Sequence, residues 1–169
     1  KRKMSESRKG KSIHSQKFKD DLLTKIKNMS PPNFEELSVD IVFSLCYHKE
    51  FNINKSEVTK TLGKTGDGGI DGIIIKKDKI KETKIYVQSK CWKNNQVSRP
   101  EIHKFIGALV GQKSRDGIFI TTSTFAKTAI DFAKEQNGFD IKLIDGSELV
   151  DLMIEYEIGV QLLGKYRLN

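Results

Sequence analysis

The sequence predicts an α/β fold with a mixed central sheet flanked by helices on both faces. Three observations carry that expectation. Residues 56–92 hold three β-rich segments with no helical pattern between them, which suggests an antiparallel meander. From residue 100 onward, helical and strand patterns alternate, as in parallel crossover units. An amphipathic helix precedes both stretches, so helices are available for either face of the sheet.

The elements follow in order. Residues 1–14 are rich in Lys, Arg and Ser and read as a disordered linker. Residues 16–29 suit a short helix through Phe18, Leu22, Leu23 and Ile26. Ser30-Pro31-Pro32 then punctuates the chain, with Ser30 suited to cap a helix and Pro31 to open it. That helix runs to about residue 47 with Phe34, Leu37, Ile41, Val42 and Leu45 as its apolar stripe. Strands are expected at 56–62, 70–75 and 85–92, with a three-glycine loop at 64–69 before the second. Beyond them lie a helix at 100–112, a strand at 117–122, a helix at 125–136 and a strand at 141–144. A last helix, capped by Ser147, reaches about residue 156.

The 169-residue length suits one domain plus an extension, divided as a basic extension over 1–29 and the main domain over 30–169. No run of 18 apolar residues exists, so a spanning helix is excluded, and the charged N-terminus carries no secretory signal. The chain opens with Lys1 and is expected to be a piece of a longer protein. Net charge is +8, and residues 1–30 hold 10 Lys/Arg against 3 Asp/Glu while the remainder holds 20 against 19. The basic leader therefore suggests a polyanionic partner, or simply a solvated linker. Cys46 and Cys91 are 45 positions apart and form no Cys-x-x-Cys pair, which argues against a disulfide scaffold or zinc site. A reducing, cytoplasmic setting follows as an expectation.

Strand alternation puts Asp71 on one face with Ile73 and Ile75, and Gln88 and Lys90 on one face with Tyr86 and Trp92. Asp71 and Lys90 interrupt strands that should be buried, where a lone charge is costly. They form either a structural ion pair or a metal site. Phosphodiester hydrolysis asks for a divalent cation and hard oxygen ligands. Asp71 supplies a carboxylate and the Ser89 carbonyl a second oxygen. Lys90 is placed to orient or deprotonate an attacking water and to stabilise the phosphate. Glu35, on the first long helix, suits a second ligand or the holder of a water; the other reading is a solvated helix face. The glycine loop opens a strand and lacks Gly-Lys-Ser/Thr, so it is no P-loop.

Gly66-Asp67-Gly68-Gly69-Ile70-Asp71-Gly72, followed by Tyr86-Val87-Gln88-Ser89-Lys90, resembles the catalytic domain of Mrr-like restriction endonucleases, a branch of the PD-(D/E)xK nucleases. The likeness continues through Phe34-Glu35, Phe105-Ile106-Gly107-Ala108-Leu109, Ile120-Thr121-Thr122-Ser123 with Phe125, and Leu143-Ile144-Asp145-Gly146. It spans about residues 31–160. It implies a restriction-endonuclease-like sheet and metal-dependent hydrolysis of double-stranded DNA in the restriction of foreign DNA, modified and especially methylated DNA first, with Mg2+, or Mn2+ in its place. It also implies that Asp71 binds metal, that Lys90 is the motif lysine, and that Glu35 completes the site. Gln88 stands where the superfamily has Asp or Glu; a neutral amide is a weaker ligand, for which Glu35 would supply the charge. Asp67 is a loop residue more than a ligand. A homodimer or higher assembly and a separate recognition domain are the implied partners. A sequence-specific or repair nuclease, and a nuclease-like module that binds DNA without cutting, are the alternatives.

Further nucleic-acid contacts are expected from Thr122, Ser123, Trp92, Lys93 and His103, each with a packing or capping role as the alternative. Lys76, Lys77, Lys79, Lys81 and Lys84 form a basic hairpin tip that suits phosphate contact or ordinary edge protection. His14, His48 and His103 form no cluster in sequence.

Overall fold

The computed structural model describes residues 16–49, 57–62, 68–77, 79, 81–163 and 165–168. The leader with His14, the loop residue Asp67 and the side chain of His48 lie outside the described residues. Among the described residues no helix is long and apolar enough to cross a membrane.

Five strands form one sheet in the order β1-β2-β3-β4-β5: β1 (Glu57–Leu62), β2 (Gly72–Lys77), β3 (Glu82–Lys90), β4 (Asp116–Thr121) and β5 (Asp140–Ile144). The first three pair antiparallel, as the meander predicts, with Gly72 opposite Val87 and Ile74 opposite Ile85. The last three pair parallel, with Tyr86 beside Gly117 and Asp116 beside Asp140. Helices α3 (Arg99–Gly111) and α4 (Lys127–Glu135) make the two crossovers. They cover one face, where Ile102, Phe105, Phe119, Phe125, Ala129 and Phe132 are buried in one cluster. Phe119 stands edge-on to both Phe105 and Phe125, at centroid separations of 5.5 and 5.9 Å.

The opposite face carries α1 (residues 16–26), α2 (Pro31–Lys49) and α5 (Gly146–Glu155). Their apolar sides meet Ile74, Val87, Ile118, Ile120 and Ile144 of the sheet. In α1, Leu22 and Ile26 lie one turn apart and are both buried in this cluster. The Cys91 thiol sits beside the Ile26 carbonyl at 3.6 Å, and Lys19 pairs with Asp151 of α5. The expected division at residue 30 therefore does not coincide with a gap in the packing, because α1 is built into the core.

Several local expectations change. In α2 the covered side includes Ser38 and Val39, while Leu37 is only half-buried. Ser38 satisfies its hydroxyl on the Phe34 carbonyl at 2.8 Å, which makes a polar residue acceptable there. The α5 cap is Asp145, not Ser147: its carboxylate accepts the Ser147 and Glu148 amides at 3.0 and 2.9 Å. A short antiparallel pair, β6 (Val160–Leu163) with β7 (Lys165–Leu168), follows α5 and was not expected from the sequence.

Candidate active site

The site lies at the carboxyl ends of β3 and β4, where β2 leaves the sheet. Glycine makes the approach possible. A Cβ on Gly72 would meet the Thr61 carbonyl at 3.1 Å and would intrude on the Val39 side chain of α2. The helix therefore rests directly on the strand. Glu35 is one turn before Val39 on the same side of α2, so this contact brings its carboxylate to the start of β2.

Asp71 is not a simple continuation of the β2 alternation. Its N–H donates to the Val87 carbonyl at 2.8 Å, although Val87 already faces Gly72. Two residues thus face one, as in a bulge, and the side chain is re-aimed. The Asp71 carboxylate turns to β3, where one oxygen accepts the Ser89 N–H at 2.5 Å and the Ser89 hydroxyl at 2.8 Å. The expected grouping of Asp71 with Ile73 and Ile75 is corrected accordingly. Ser89 shares its face of β3 with Val87 and Cys91, not with Gln88 and Lys90. The carbonyl of a strand residue points to the same side as its N–H. The Ser89 carbonyl therefore also looks toward the strand edge occupied by Asp71.

Gln88 is 4% exposed, and its Oε1 is buried without a hydrogen-bond partner among the described residues. The loop backbone is laid over its amide: Gly69 adopts φ +92°, and a Cβ there would stand 2.9 Å from Gln88 Nε2. Lys90 is half-buried, and its carbonyl takes the Thr121 hydroxyl at 2.9 Å, which locks the ends of β3 and β4 together.

The electrostatics tie three of the groups. Burial raises the Asp71 carboxyl above the ordinary carboxylate range, while the two Ser89 hydrogen bonds and the Lys90 charge pull it part-way back. Glu35 is also raised, first by burial and then by the neighbouring Asp71 charge, with Lys90 opposing. Glu35, Asp71 and Lys90 are thus brought together, as the sequence reading expects. Among the described residues no set of three or more His, Cys, Asp and Glu gathers, so the carboxylates here number two. With the Ser89 carbonyl, the donors beside Asp71 are all oxygens, and the unpartnered Gln88 Oε1 is a further oxygen on the same strand. That set fits a hard divalent cation and not a thiolate- or imidazole-seeking one.

The remaining expected residues divide. Thr122 gives its hydroxyl proton to the Trp92 carbonyl at 2.7 Å, and Ser123 accepts the Gly146 amide on its carbonyl at 2.8 Å. Trp92 is half-buried against the α3/α4 cluster. Lys93 is exposed on the same rim. His103 lies on α3 against the Phe132 ring at 5.9 Å and is not among the groups that couple to the carboxylates. The sequence reading missed the amide and hydroxyl of Ser89 and the Val39–Gly72 contact. A hydroxyl on an otherwise apolar strand face was the available signal for the first.

The model of a restriction endonuclease family, Mrr_cat, matches residues 26–153. This chain belongs to that family. The Mrr-like relative EcoKMrr of Escherichia coli (strain K12), a type IV methyl-directed restriction enzyme, is 45% identical over 141 residues. The alignment takes in 83% of this chain and 43% of the relative. Two solved restriction endonucleases share the fold of this chain. MspJI in complex with a 27-mer oligonucleotide has a TM-score of 0.60 at 19% identity, over 80% of this chain and 31% of that one. The DNA modification-dependent AspBHI has a TM-score of 0.61 at 19% identity, over 83% and 36%. The chain therefore spans less than half the length of each of these proteins.

Proposed function

We propose that this chain is the DNA-cutting part of a modification-dependent restriction endonuclease that acts in the cytoplasm on double-stranded, methylated DNA. The observation that carries the reading is the Asp71 carboxylate, held at the end of β3 by Ser89 and sharing its field with Glu35 and Lys90. Membership of the restriction endonuclease family supports it.

Asp71, Glu35, the Ser89 carbonyl and the Gln88 Oε1 are the oxygens that would hold Mg2+ or Mn2+. A bound divalent cation supplies charge for the phosphate and acidifies a water. Lys90 carries its ammonium to the same point, donates hydrogen bonds to a non-bridging phosphate oxygen, and orients the attacking water. Ser89 aims Asp71 and favours its ionised form against the effect of burial. Burial of Gln88 and Asp71 excludes bulk water from one side of the site. One centre cuts one strand, so a double-strand break takes two copies on the DNA, as a homodimer or higher assembly. Recognition of the modified base falls to a domain outside this chain. The free thiols of Cys46 and Cys91 suit a reducing compartment.

One observation favours a second reading. Gln88 is neutral where a carboxylate would bind the cation more tightly, and a module that only binds DNA would tolerate that. Plasmid cleavage with magnesium or manganese separates the two. Wild-type chain should cut, with Lys90→Ala slower by about 100-fold or more. Comparing methylated with unmethylated plasmid tests the substrate class. Binding without cutting, by the full-length protein as well as this chain, would refute the nuclease reading.

A further inference from the structure

A pocket of about 360 Å³ opens at the end of the sheet where β3 carries Lys90. It is lined by Leu23 and Lys27 of the α1 end, Lys93 and Asn94 beyond β3, Thr122, Ser123 and Thr124 beyond β4, and the start of α5. Its floor is rigidly built. Thr122 N–H reaches the Lys90 carbonyl at 3.3 Å, and its hydroxyl reaches the Trp92 carbonyl. The Gly146 amide is held by the Ser123 carbonyl, and the Thr124 carbonyl takes the Val97 amide at 2.8 Å. The Cys91 thiol fixes the end of α1, which sets Lys27 beside this rim.

The pocket's free groups are cationic and protic. Lys27 and Lys93 have no ion-pair or hydrogen-bond partner for their ammonium groups among the described residues, nor does the Ser123 hydroxyl. The Thr122 hydroxyl has only one proton, already given to Trp92, so it is not a further donor. Asp145 lines the pocket too, but its carboxylate caps α5 and covers that helix's first amides. The helix end is therefore not the anchor; the two lysines are. Thr121 sits beside Lys90 in the parallel register, and Ser123 follows two residues later, just past the end of β4. The pocket therefore adjoins the end of β3 that carries Lys90.

We propose that this pocket seats a backbone phosphate of the DNA strand being cut, next to the scissile one, gripped by Lys27, Lys93 and the Ser123 hydroxyl. The inference rests on the nuclease reading and adds to it Lys27, just past the end of α1, as part of the DNA-binding surface. Phosphate contacts fix the register of the strand without reading its bases. A seat so close to Lys90 positions the scissile bond and leaves sequence or modification to be read elsewhere.

The test is binding of a fluorescently labelled DNA duplex to this chain, with calcium in place of magnesium, across a series of salt concentrations. The Lys27→Gln/Lys93→Gln double variant should lower the slope of log affinity against log salt by about one and weaken binding about tenfold. Ser123→Ala should weaken binding with the slope unchanged, because it removes no charge. Lys93→Arg should keep the wild-type slope. Lys113→Gln/Lys134→Gln, just past α3 and in the last turn of α4, should leave both quantities as in wild type. An unchanged slope in the Lys27/Lys93 double variant, with wild-type binding intact, would overturn this proposal alone. An equal drop in the Lys113/Lys134 control would overturn it as well, since net charge would then suffice. Failure of the wild-type chain to bind DNA would overturn it together with the nuclease reading.

Discussion

Replacing Gly72 with alanine tests whether the closeness of α2 to the sheet sets the site. The added Cβ would lie 3.1 Å from the Thr61 carbonyl oxygen, 3.2 Å from Val39 Cγ1, and well inside contact of Val39 Cγ2. Carbon atoms settle at about 3.5–4.0 Å, so side chain or helix must give way by about an ångström. Val39 is 0% exposed and has no solvent to move into. Gly72 does not have a left-handed backbone, so the cost is packing alone. Overpacking of this kind costs about 1–3 kcal/mol, read as a shift of the urea midpoint. If α2 moves, Glu35 moves with it, and a displacement of about an ångström at a reacting centre can slow turnover about 100-fold. Val39→Ala alone removes two methyl groups' worth of packing and should cost about 2 kcal/mol. In the Gly72→Ala/Val39→Ala double variant the new methyl enters the vacated space. That protein should be more stable than the sum of the singles by about 1 kcal/mol or more, with cleavage partly restored. Strict additivity, or a Gly72→Ala protein as stable and active as wild type, would refute the reasoning.

Three further predictions concern the groups around Asp71. Ser89→Ala removes a hydrogen bond to the charged carboxylate, so the Asp71 carboxyl should rise further and the half-saturating magnesium concentration for cleavage should increase about tenfold. Gln88→Leu should leave thermal stability unchanged or slightly higher, since the Oε1 is already unpartnered, while cleavage drops at least tenfold; loss of stability instead would give that oxygen a structural role. Burial holds Asp71 and Glu35 above the ordinary carboxylate range, so in chelator the folded chain binds protons more tightly than the unfolded one. Their favourable contribution is complete below the ordinary carboxylate pKa and is lost as pH climbs through the raised values. Asp71→Asn should then melt higher than wild type at neutral pH without metal, the gap closing on acidification. Magnesium should raise the melting temperature of wild type alone; a gap that widens toward acid would contradict the shift.

The order of elements was legible because the hydrophobic periods are clean. Ile73-Ile74-Ile75 and Ile85-Tyr86-Val87 read as strands, and Ile102, Phe105, Ile106 and Leu109 as a helix face. The antiparallel-then-parallel sheet follows from connection lengths, short between β2 and β3 and helix-long thereafter. Asp71, Lys90 and Glu35 stood out as charges in apolar settings or in motif positions, and they share one electrostatic field. What escaped depends on tertiary contacts. A bulge at residue 71 reverses the side-chain direction that alternation assigns, and no local pattern announces it. Val39 reads as just another apolar helix residue until Gly72 is seen beneath it. Lys27 reads as part of a basic extension because Phe18, Leu22, Leu23 and Ile26 make too short a stripe to declare α1 a core element. The β6–β7 pair escaped because a lone Gly164, without an Asn-Gly or Asp-Gly pair, is a weak hairpin signal.

β3 is where the two halves of the sheet meet, antiparallel to β2 on one side and parallel to β4 on the other. Its polar groups alternate between those neighbours. The Val87 carbonyl and the Ser89 amide serve the β2 side, while the Lys90 carbonyl serves β4 through Thr122. A partner strand running on past residue 71 would cover Ser89. Instead the chain turns at Ile70, which is 4% exposed and sits in the cluster under α3. That departure leaves the Ser89 amide for the Asp71 carboxylate and its carbonyl beside it. The oxygens of the site thus owe their positions to a fork in the sheet, closed below by the Ile70 anchor and above by Val39 on Gly72. A neutral Gln88 is tolerable in such a site, since Asp71 and the Ser89 carbonyl are placed without it. The family motif marks this fork in one dimension; the anchor residues around it, which carry no chemistry of their own, decide whether the marked residues meet.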